Sequence, residues 1–320
     1  MDADTGRQAV ILDTDIGTDV DDVVALGLLL RSPSIDLRAV TTVYVDAVLR
    51  ARMVEAVLAV AGRPDVPVGR GADRPLLDRD PLYWEGHEGE GLLRDEERDG
   101  QVWPRAVDLL IETVLARPGE VTVLAVAPLT NIALALLREP RFATAVHRIV
   151  IMGGIVQRRF DQLAAPYAEH NIRCDPEAAQ IVLSSGAPIT LVPLDVTTRV
   201  RIRRDALPRI AAADALGALV ADQLGRYMAR KGRDWTHPHD PLAASAAIQP
   251  DLLRTTPMRV DVETRGEFTR GQTAATVPTT TDGRPLVDVA LELTGDAASF
   301  ERWLVEMLAR PAPGDADTDE

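Results

Sequence analysis

The sequence predicts an open α/β fold with a Rossmann-like, mostly parallel sheet flanked by helices. Short apolar runs typical of buried strands recur along the chain, and segments typical of helices separate most of them. The main predicted strands are residues 9–12, 35–44, 121–126, 149–152 and 189–194. Three segments near the C-terminus, at 259–263, 276–278 and 286–293, are expected to form a small antiparallel part, closed by a helix over 300–309.

Composition limits the class of protein. With 320 residues, 46% of them hydrophobic, the chain can bury a large core, so we expect one domain over 1–310 and a disordered acidic tail over 311–320. The net charge of -14 argues against a nucleic acid or an anionic membrane as partner, and no apolar run is long enough to span a bilayer. One cysteine and an N-terminus without a secretory pattern predict a cytoplasmic protein.

Five carboxylates follow the first predicted strand within ten residues: Asp13, Asp15, Asp19, Asp21 and Asp22. In an open α/β sheet, ligands collect at the carboxyl ends of the strands. Anions placed so close together repel one another unless a positive charge lies among them, so a divalent cation such as calcium or magnesium is the simplest explanation. A solvated loop that caps the next helix is the alternative, but capping accounts for one or two carboxylates, not five.

The segment Asp13-Thr14-Asp15-Ile16-Gly17, with the Asp21–Asp22 pair, resembles the N-terminal signature of the inosine-uridine-preferring nucleoside hydrolase family. That signature, Asp-x-Asp-Pro-Gly-x-Asp-Asp, binds one calcium ion. In this chain Ile16 replaces the usual proline, and two extra residues precede the Asp21–Asp22 pair. Counted from the left, the penultimate carboxylate is Asp19; counted from the right it is Asp21, which we favour because the pair opens directly into a helix.

Further segments match the family in the same order, so that the resemblance spans residues 8–310. They are Leu129-Thr130-Asn131, Met152-Gly153-Gly154, Glu169-His170-Asn171 followed by Asp175-Pro176-Glu177, and His239-Asp240-Pro241. The last motif alone is typical of a capped helix N-terminus, and its order among the others favours a functional role. The family's upstream Asn has no clean equivalent, because Gln162-Leu163 lies at that distance.

The resemblance implies a calcium site made by Asp15, Asp22, Asp240 and the backbone carbonyl of Val126. It also implies that Asp15 is the general base. His239 is the candidate proton donor to the leaving base, because a histidine can titrate near neutral pH.

Substrate contacts are implied for five residues: Asp21, Asp46, His87, Glu169 and Asn171. Glu169 and Asn171 are expected on an extended segment, with both side chains on one face. Two of the five have an ordinary alternative, since Asp46 could be only a helix N-cap and His87 an exposed loop histidine. Trp84 or Trp235 is a further candidate, for stacking on a purine base.

The implied reaction is calcium-dependent hydrolysis of the N-glycosidic bond of a ribonucleoside, giving free base and ribose, by a metal-bound water that Asp15 activates. The resemblance also implies a homodimer or homotetramer. A non-catalytic calcium- or nucleoside-binding protein on the same fold is one alternative, which the altered positions Ile16, Asp46 and Leu163 keep open. The other is an aspartate-nucleophile phosphatase, for which the only lysine, Lys231, would have to hold the phosphate.

Overall fold

The computed structural model describes residues 6–93, 103–156, 168–278 and 283–311. Within these residues nine strands form one sheet, and two very short strands, β7 and β8, pair separately. The strands are β1 (Gln8–Thr14), β2 (Ile35–Thr42), β3 (Val68–Arg70), β4 (Val121–Ala125), β5 (Arg148–Met152), β6 (Ile189–Val192), β7 (Ile202–Arg203), β8 (Trp235–Thr236), β9 (Leu253–Val262), β10 (Thr273–Thr276) and β11 (Val287–Leu293).

Strand order in the sheet is β10-β9-β11-β6-β5-β4-β1-β2-β3. From β3 to β11 every neighbouring pair is parallel, and β9 pairs antiparallel with both β10 and β11. The chain moves from β1 outward to β2 and β3, then returns to place β4 on the other side of β1. This reversal between β1 and β4 is the topological switch point of the sheet, where open α/β folds bind ligands.

Helices cover both faces of the sheet. They are α1 (Asp21–Arg31), α2 (Ala47–Val60), α3 (Ala106–Ala116), α4 (Thr130–Arg138), α5 (Phe142–Ala145), α6 (His170–Cys174), α7 (Pro176–Leu183), α8 (Leu194–Thr197), α9 (Leu207–Ala211), α10 (Ala215–Arg230), α11 (His239–Ile248) and α12 (Ala297–Leu308). Within the ranges that the structure describes, none of these helices has the length and apolar character to cross a membrane.

The core has two layers because successive strand residues point to opposite faces. Val10 and Leu12 of β1 pack with α1, α2, α10, α11 and α12, whereas Ile11 packs with α3, α4 and α7. Burial on both faces explains why the parallel strands are continuous apolar runs rather than alternating ones.

The predicted fold class is confirmed: a mostly parallel sheet with flanking helices and antiparallel C-terminal strands. One local prediction was wrong, because Glu169 and Asn171 do not lie on an extended segment; Asn171 lies in α6, and Glu169 is its N-cap. The strand expected over 276–278 runs instead over Thr273–Thr276. The expected tail beyond residue 311 and the Gln162-Leu163 pair lie outside the described residues.

Candidate active site

A cleft of about 360 Å³ opens at the switch point, beside the carboxyl ends of β1 and β4. The predicted site residues that line it include Asp15, Asp21, Asp22, Val126 and Asp240. The other residues lining it are Thr18, Asp19, Tyr83, Glu85, Met152, Ala168, Glu169, His170, Asn171, Arg173, Leu194, Lys231 and His239.

Three buried carboxylates form the floor of the cleft: Asp21 and Asp22 in the first turn of α1, and Asp240 in the first turn of α11. Each offers an oxygen within 4.8 Å of the other two. The backbone N–H of Asp240 donates to Oδ2 of Asp21 at 3.2 Å, and the Thr14 hydroxyl donates to Oδ1 of Asp22. Two helix N-termini therefore meet here, and both favour negative charge.

This group of carboxylates could hold a metal ion. Burial raises the pKa of Asp21, Asp22 and Asp240 well above the ordinary range, and the neighbouring carboxylates raise it further. A hard divalent cation would remove that penalty, because carboxylate oxygens are the ligands it prefers. The donor set therefore fits the cation that the sequence predicts.

Asp15 and the Val126 carbonyl lie in the same cleft, next to this group. Asp15 is buried, and burial raises the pKa of its carboxyl while the Arg50 guanidinium and His170 oppose the shift. The Val126 carbonyl follows β4 and accepts a hydrogen bond from Nδ2 of Asn171 at 3.1 Å. Asp15 is not a member of the three-carboxylate group among the described residues.

Asp19, the extra carboxylate of the loop, lines the cleft but is not a member of the three-carboxylate group among the described residues. Its Oδ2 accepts a hydrogen bond from the Tyr227 hydroxyl at 2.7 Å, and its Oδ1 accepts one from the N–H of Val20 at 2.6 Å. Among the described residues, Asp21 shares the group with Asp22 and Asp240, and which carboxylate fills the penultimate place of the motif stays a prediction.

Beneath the acidic loop lies a buried polar network that the sequence did not single out. Oδ1 of Asp13 accepts hydrogen bonds from Oγ1 of Thr41 at 2.5 Å and Nδ2 of Asn131 at 2.8 Å. Nδ2 of Asn131 also donates to the Thr42 carbonyl at 3.0 Å. Burial raises the pKa of Asp13 to about 7, against the effect of the two side-chain donors. This network ties the ends of β1 and β2 to the start of α4.

Glu169 and Asn171 are both held rigidly at the side of the cleft. The Glu169 carboxylate caps α6 through the N–H groups of Asn171 and Ile172, and it also accepts from Gly154 N–H at 3.0 Å. Nδ2 of Asn171 donates to the carbonyls of Val126 and Met152, each at 3.1 Å. The helical turn, rather than an extended strand, brings both side chains to the cleft.

His239 lines the cleft beside Asp240, but its protonation differs from expectation. Nδ1 lies 2.7 Å from the Thr197 hydroxyl oxygen. Burial lowers the pKa of His239 to about 4, so the imidazole is neutral near pH 7. The sequence instead predicts a histidine that titrates near neutral pH. The sequence could not show the lowered pKa because the burial comes from tertiary packing.

The structure does not bring the remaining candidates into the cleft. Asp46 is exposed and caps α2, its Oδ1 accepting from Leu49 N–H at 2.9 Å, which is the alternative that the sequence left open. His87 borders a smaller neighbouring pocket, with Nε2 3.2 Å from the Thr18 carbonyl. Trp84 contacts the Arg50 guanidinium at 5.1 Å, and the ring of Trp235 contacts the guanidinium groups of Arg201 and Arg233 at 4.1 and 4.7 Å. Neither indole is among the cleft-lining residues.

A switch-point cleft with a cluster of buried carboxylates is typical of an α/β protein that binds a small ligand, and the cluster has the donor atoms to hold a cation. Residues 10–301 match the family described as inosine-uridine preferring nucleoside hydrolase, and the chain belongs to that family.

Curated and solved relatives cover nearly all of the chain. It is 33% identical over 311 residues to the non-specific ribonucleoside hydrolase RihC of Salmonella paratyphi B, an alignment that covers 95% of this chain and 99% of the relative. A plant nucleoside hydrolase, the PpNRh1 enzyme, superposes with a TM-score of 0.82 at 31% identity, covering 95% of this chain and 99% of the other. The purine-preferring ribonucleoside hydrolase from Gardnerella vaginalis gives 0.80 at 27% identity, with coverage of 94% and 98%.

These relationships establish the enzyme class: the protein is a nucleosidase, a hydrolase of N-glycosyl bonds, and its substrate is a nucleoside. They decide in favour of the hydrolase over the non-catalytic binding protein and the aspartate-nucleophile phosphatase. Lys231, the residue that a phosphatase would need, lines the cleft and is paired with Glu85 at 2.9 Å.

Proposed function

We propose that the protein is a calcium-dependent ribonucleoside hydrolase that releases free base and ribose. The observation that carries this proposal is the group formed by Asp21, Asp22 and Asp240, three buried carboxylates within 4.8 Å at the switch point of the sheet. Calcium suits such a site because it takes six to eight oxygen ligands in flexible geometry. When bound, the ion would orient water and sugar hydroxyls and offset the charge of the carboxylates.

Asp15 is the proposed general base. It lines the same cleft as the carboxylate group and interacts electrostatically with Asp22 and Asp240, which supports a role in taking the proton of a water bound there. The sugar gains positive charge as the glycosidic bond breaks, and the surrounding carboxylates favour that charge. Glu169 and Asn171 are the proposed contacts to the sugar hydroxyls, because their hydrogen bonds to the ends of β4 and β5 fix them at the cleft wall.

His239 is the proposed hydrogen-bond donor to the departing base. We assign the tautomer in which the Thr197 hydroxyl, 2.7 Å from Nδ1, donates to that nitrogen and the ring hydrogen lies on Nε2, so that the neutral imidazole can offer it to a base nitrogen or oxygen. Neutral imidazoles serve as donors in other enzymes whose histidine pKa is lowered by its surroundings.

The primary test measures ribose release from inosine, adenosine, guanosine, uridine and cytidine by wild type, with and without EGTA. The panel is broad because the relatives include both a non-specific and a purine-preferring enzyme. We expect release to stop in EGTA and to return with calcium. Asp15→Ala should lose at least about 100-fold in kcat, the usual contribution of a general base, whereas Asp222→Ala, which removes an exposed carboxylate on α10, should match wild type. Full activity in EGTA would contradict calcium dependence.

A second test isolates the role of His239. A nitrophenyl riboside has a leaving group that departs without a donor, so His239→Ala should hydrolyse it at nearly the wild-type rate while losing activity on inosine. Equal losses on both substrates would exclude leaving-group assistance by His239.

The assembly remains a prediction. We propose a homodimer or homotetramer, and light scattering of the purified protein would measure the mass against the 34.7 kDa of one chain.

A further inference from the structure

Arg50 in α2 has a fully buried guanidinium beneath the acidic loop. Nη1 donates to the Ile16 carbonyl at 2.8 Å, and Nη2 lies 3.3 Å from the Thr18 hydroxyl. Nε donates to the Tyr44 carbonyl at 2.8 Å. One side chain therefore joins the loop after β1 to the turn after β2.

That turn is a strained one. Tyr44 and Val45 are consecutive non-glycine residues with φ of 75° and 64°, and a β-branched side chain such as valine is strongly disfavoured there. Such strain persists only where neighbouring contacts fix the backbone. The contacts here are the N–H groups of Tyr44 and Val45, which donate to the carbonyls of Ala72 and Asp73 at 2.7 and 2.8 Å, and the bond from Arg50 to the Tyr44 carbonyl.

A third segment closes over the same guanidinium. Trp84 lies over Arg50 at 5.1 Å, and the nearby Glu88 carboxylate accepts from the Thr18 hydroxyl at 3.0 Å. Glu88 also accepts from the N–H groups of Glu85 and Gly86, at 3.0 and 2.7 Å. Three segments that carry or border the cleft thus converge on one side chain.

The loop residues that Arg50 contacts, Ile16 and Thr18, lie between the site carboxylates along the chain. Ile16 follows Asp15 directly, and Thr18 lies between Asp15 and the Asp21–Asp22 pair. Ile16 also stands where the family motif carries proline, a residue that would restrict the loop by its own ring. The buried Arg50 guanidinium, which donates to the Ile16 carbonyl, restricts the loop from outside instead.

We propose that Arg50 is a positioning residue, which holds the acidic loop and the Tyr44–Val45 turn so that Asp15, Asp21 and Asp22 stand ready for cation and substrate. Arg50 itself is not among the residues that line the cleft, so it acts by holding the loop, in addition to the charge that it presents to Asp15 and Asp22. This inference rests on the proposed calcium-dependent function.

Arg31 provides a matched control. It is also fully buried, and its guanidinium donates to Asp214 at 2.5 Å. It stands at the last residue of α1, the end away from Asp21 and Asp22. Arg50→Met and Arg31→Met both remove a buried guanidinium, but only the first removes bonds to the acidic loop.

The experiment titrates calcium into chelator-treated wild type and both variants by calorimetry, and then measures kcat and KM for the best nucleoside of the panel. Loss of a residue that orients metal ligands usually costs about 10–100-fold in metal affinity. We expect a loss of that size for Arg50→Met, with a raised KM, and calcium affinity within about twofold of wild type for Arg31→Met. Thermal unfolding of each variant measures the separate cost in stability.

Arg50→Lys extends the test, because it keeps the charge but replaces the planar fork with one ammonium. We expect the calcium affinity of Arg50→Lys to lie between those of Arg50→Met and wild type. If Arg50→Met does not fold, Arg50→Lys is compared with Arg31→Lys instead. Calcium affinity equal to wild type in the folded Arg50 variants would overturn the inference while leaving the proposed function intact. If wild type neither binds calcium nor releases ribose, the proposed function fails, and this inference fails with it.

Discussion

The ion pair between Arg31 and Asp214 fixes the far end of α1, and its removal should be costly. Arg31 is fully buried, and the side chain of Asp214 is 15% exposed. Oδ1 of Asp214 accepts from Arg31 Nη2 at 2.5 Å and also caps α10 through the Gly217 N–H at 2.8 Å. Asp214→Ala therefore leaves a buried guanidinium without its carboxylate and a helix without its cap.

The magnitude follows from these two losses. Removing one partner of a buried pair costs about 3–5 kcal/mol, and loss of a cap costs about 1 kcal/mol. Because water reaches Asp214 in part, we expect about 3–5 kcal/mol for both effects together, a large share of the about 5–15 kcal/mol that stabilises a typical protein. Nε and Nη1 of Arg31 already have no hydrogen-bond partner among the described residues, so no nearby acceptor is in place to compensate.

Urea unfolding, followed by circular dichroism, measures this cost. Asp222→Ala is the control, since it breaks an exposed i,i+4 pair with Arg226 on the same helix and should cost only about 0.3–0.5 kcal/mol. Adding Arg31→Met to Asp214→Ala should restore part of the stability, because the unpaired charge is gone. An Asp214→Ala protein within about 1 kcal/mol of Asp222→Ala would refute the reasoning, since a buried unpaired charge cannot cost so little.

Three further predictions concern single residues. Burial raises the pKa of Cys174 to about 12, so about one thiol in ten thousand is ionised at pH 8. Ellman's reagent should therefore react roughly a thousandfold more slowly with the native protein than with the urea-unfolded protein, and similar rates would contradict this prediction. In Gly71→Ala the new methyl would overlap the Thr42 carbonyl and the Asn131 amide that holds Asp13, so thermal unfolding should show a loss of stability of at least about 2 kcal/mol. Gly225→Ala, which has room for a methyl inside α10, should gain about 0.5–1 kcal/mol of stability. A change of the same sign in both variants would count against the steric argument. Val45→Gly should stabilise the protein by about 1 kcal/mol by relieving the left-handed backbone, and a loss of stability in urea would show that valine is not strained there.

The sheet and the carboxylate group were predictable because local signals determine them. Buried parallel strands need apolar runs, and Asp21 and Asp22 open α1 where acidic residues are favoured in any helix. The place of Asp240 at the start of α11 likewise follows from proline at the next position, a typical N-terminal signal. Topology then brings the two helix starts together.

Other features depend on contacts that sequence patterns do not encode. The α6 turn depends on the Glu169 carboxylate reaching three backbone N–H groups, one of them on the distant Gly154. Alternating polar residues over 169–171 predicted an extended segment instead. Arg50 lies in a helix with two other charged residues nearby, and nothing in its spacing distinguishes it from a solvated arginine. The left-handed Val45 opposes its own backbone preference, so only tertiary contacts explain it.

Calcium binding by chelator-treated protein tests the central claim most directly. Calorimetric titration of wild type should show one calcium ion bound per chain. Asp240→Asn, which keeps the shape of the side chain but removes its charge, should weaken binding at least about tenfold. Asp251→Asn, an exposed carboxylate beyond the end of α11, should bind as wild type does. Unchanged calcium affinity in Asp240→Asn would show that the buried carboxylate group is not the cation site and would contradict the account.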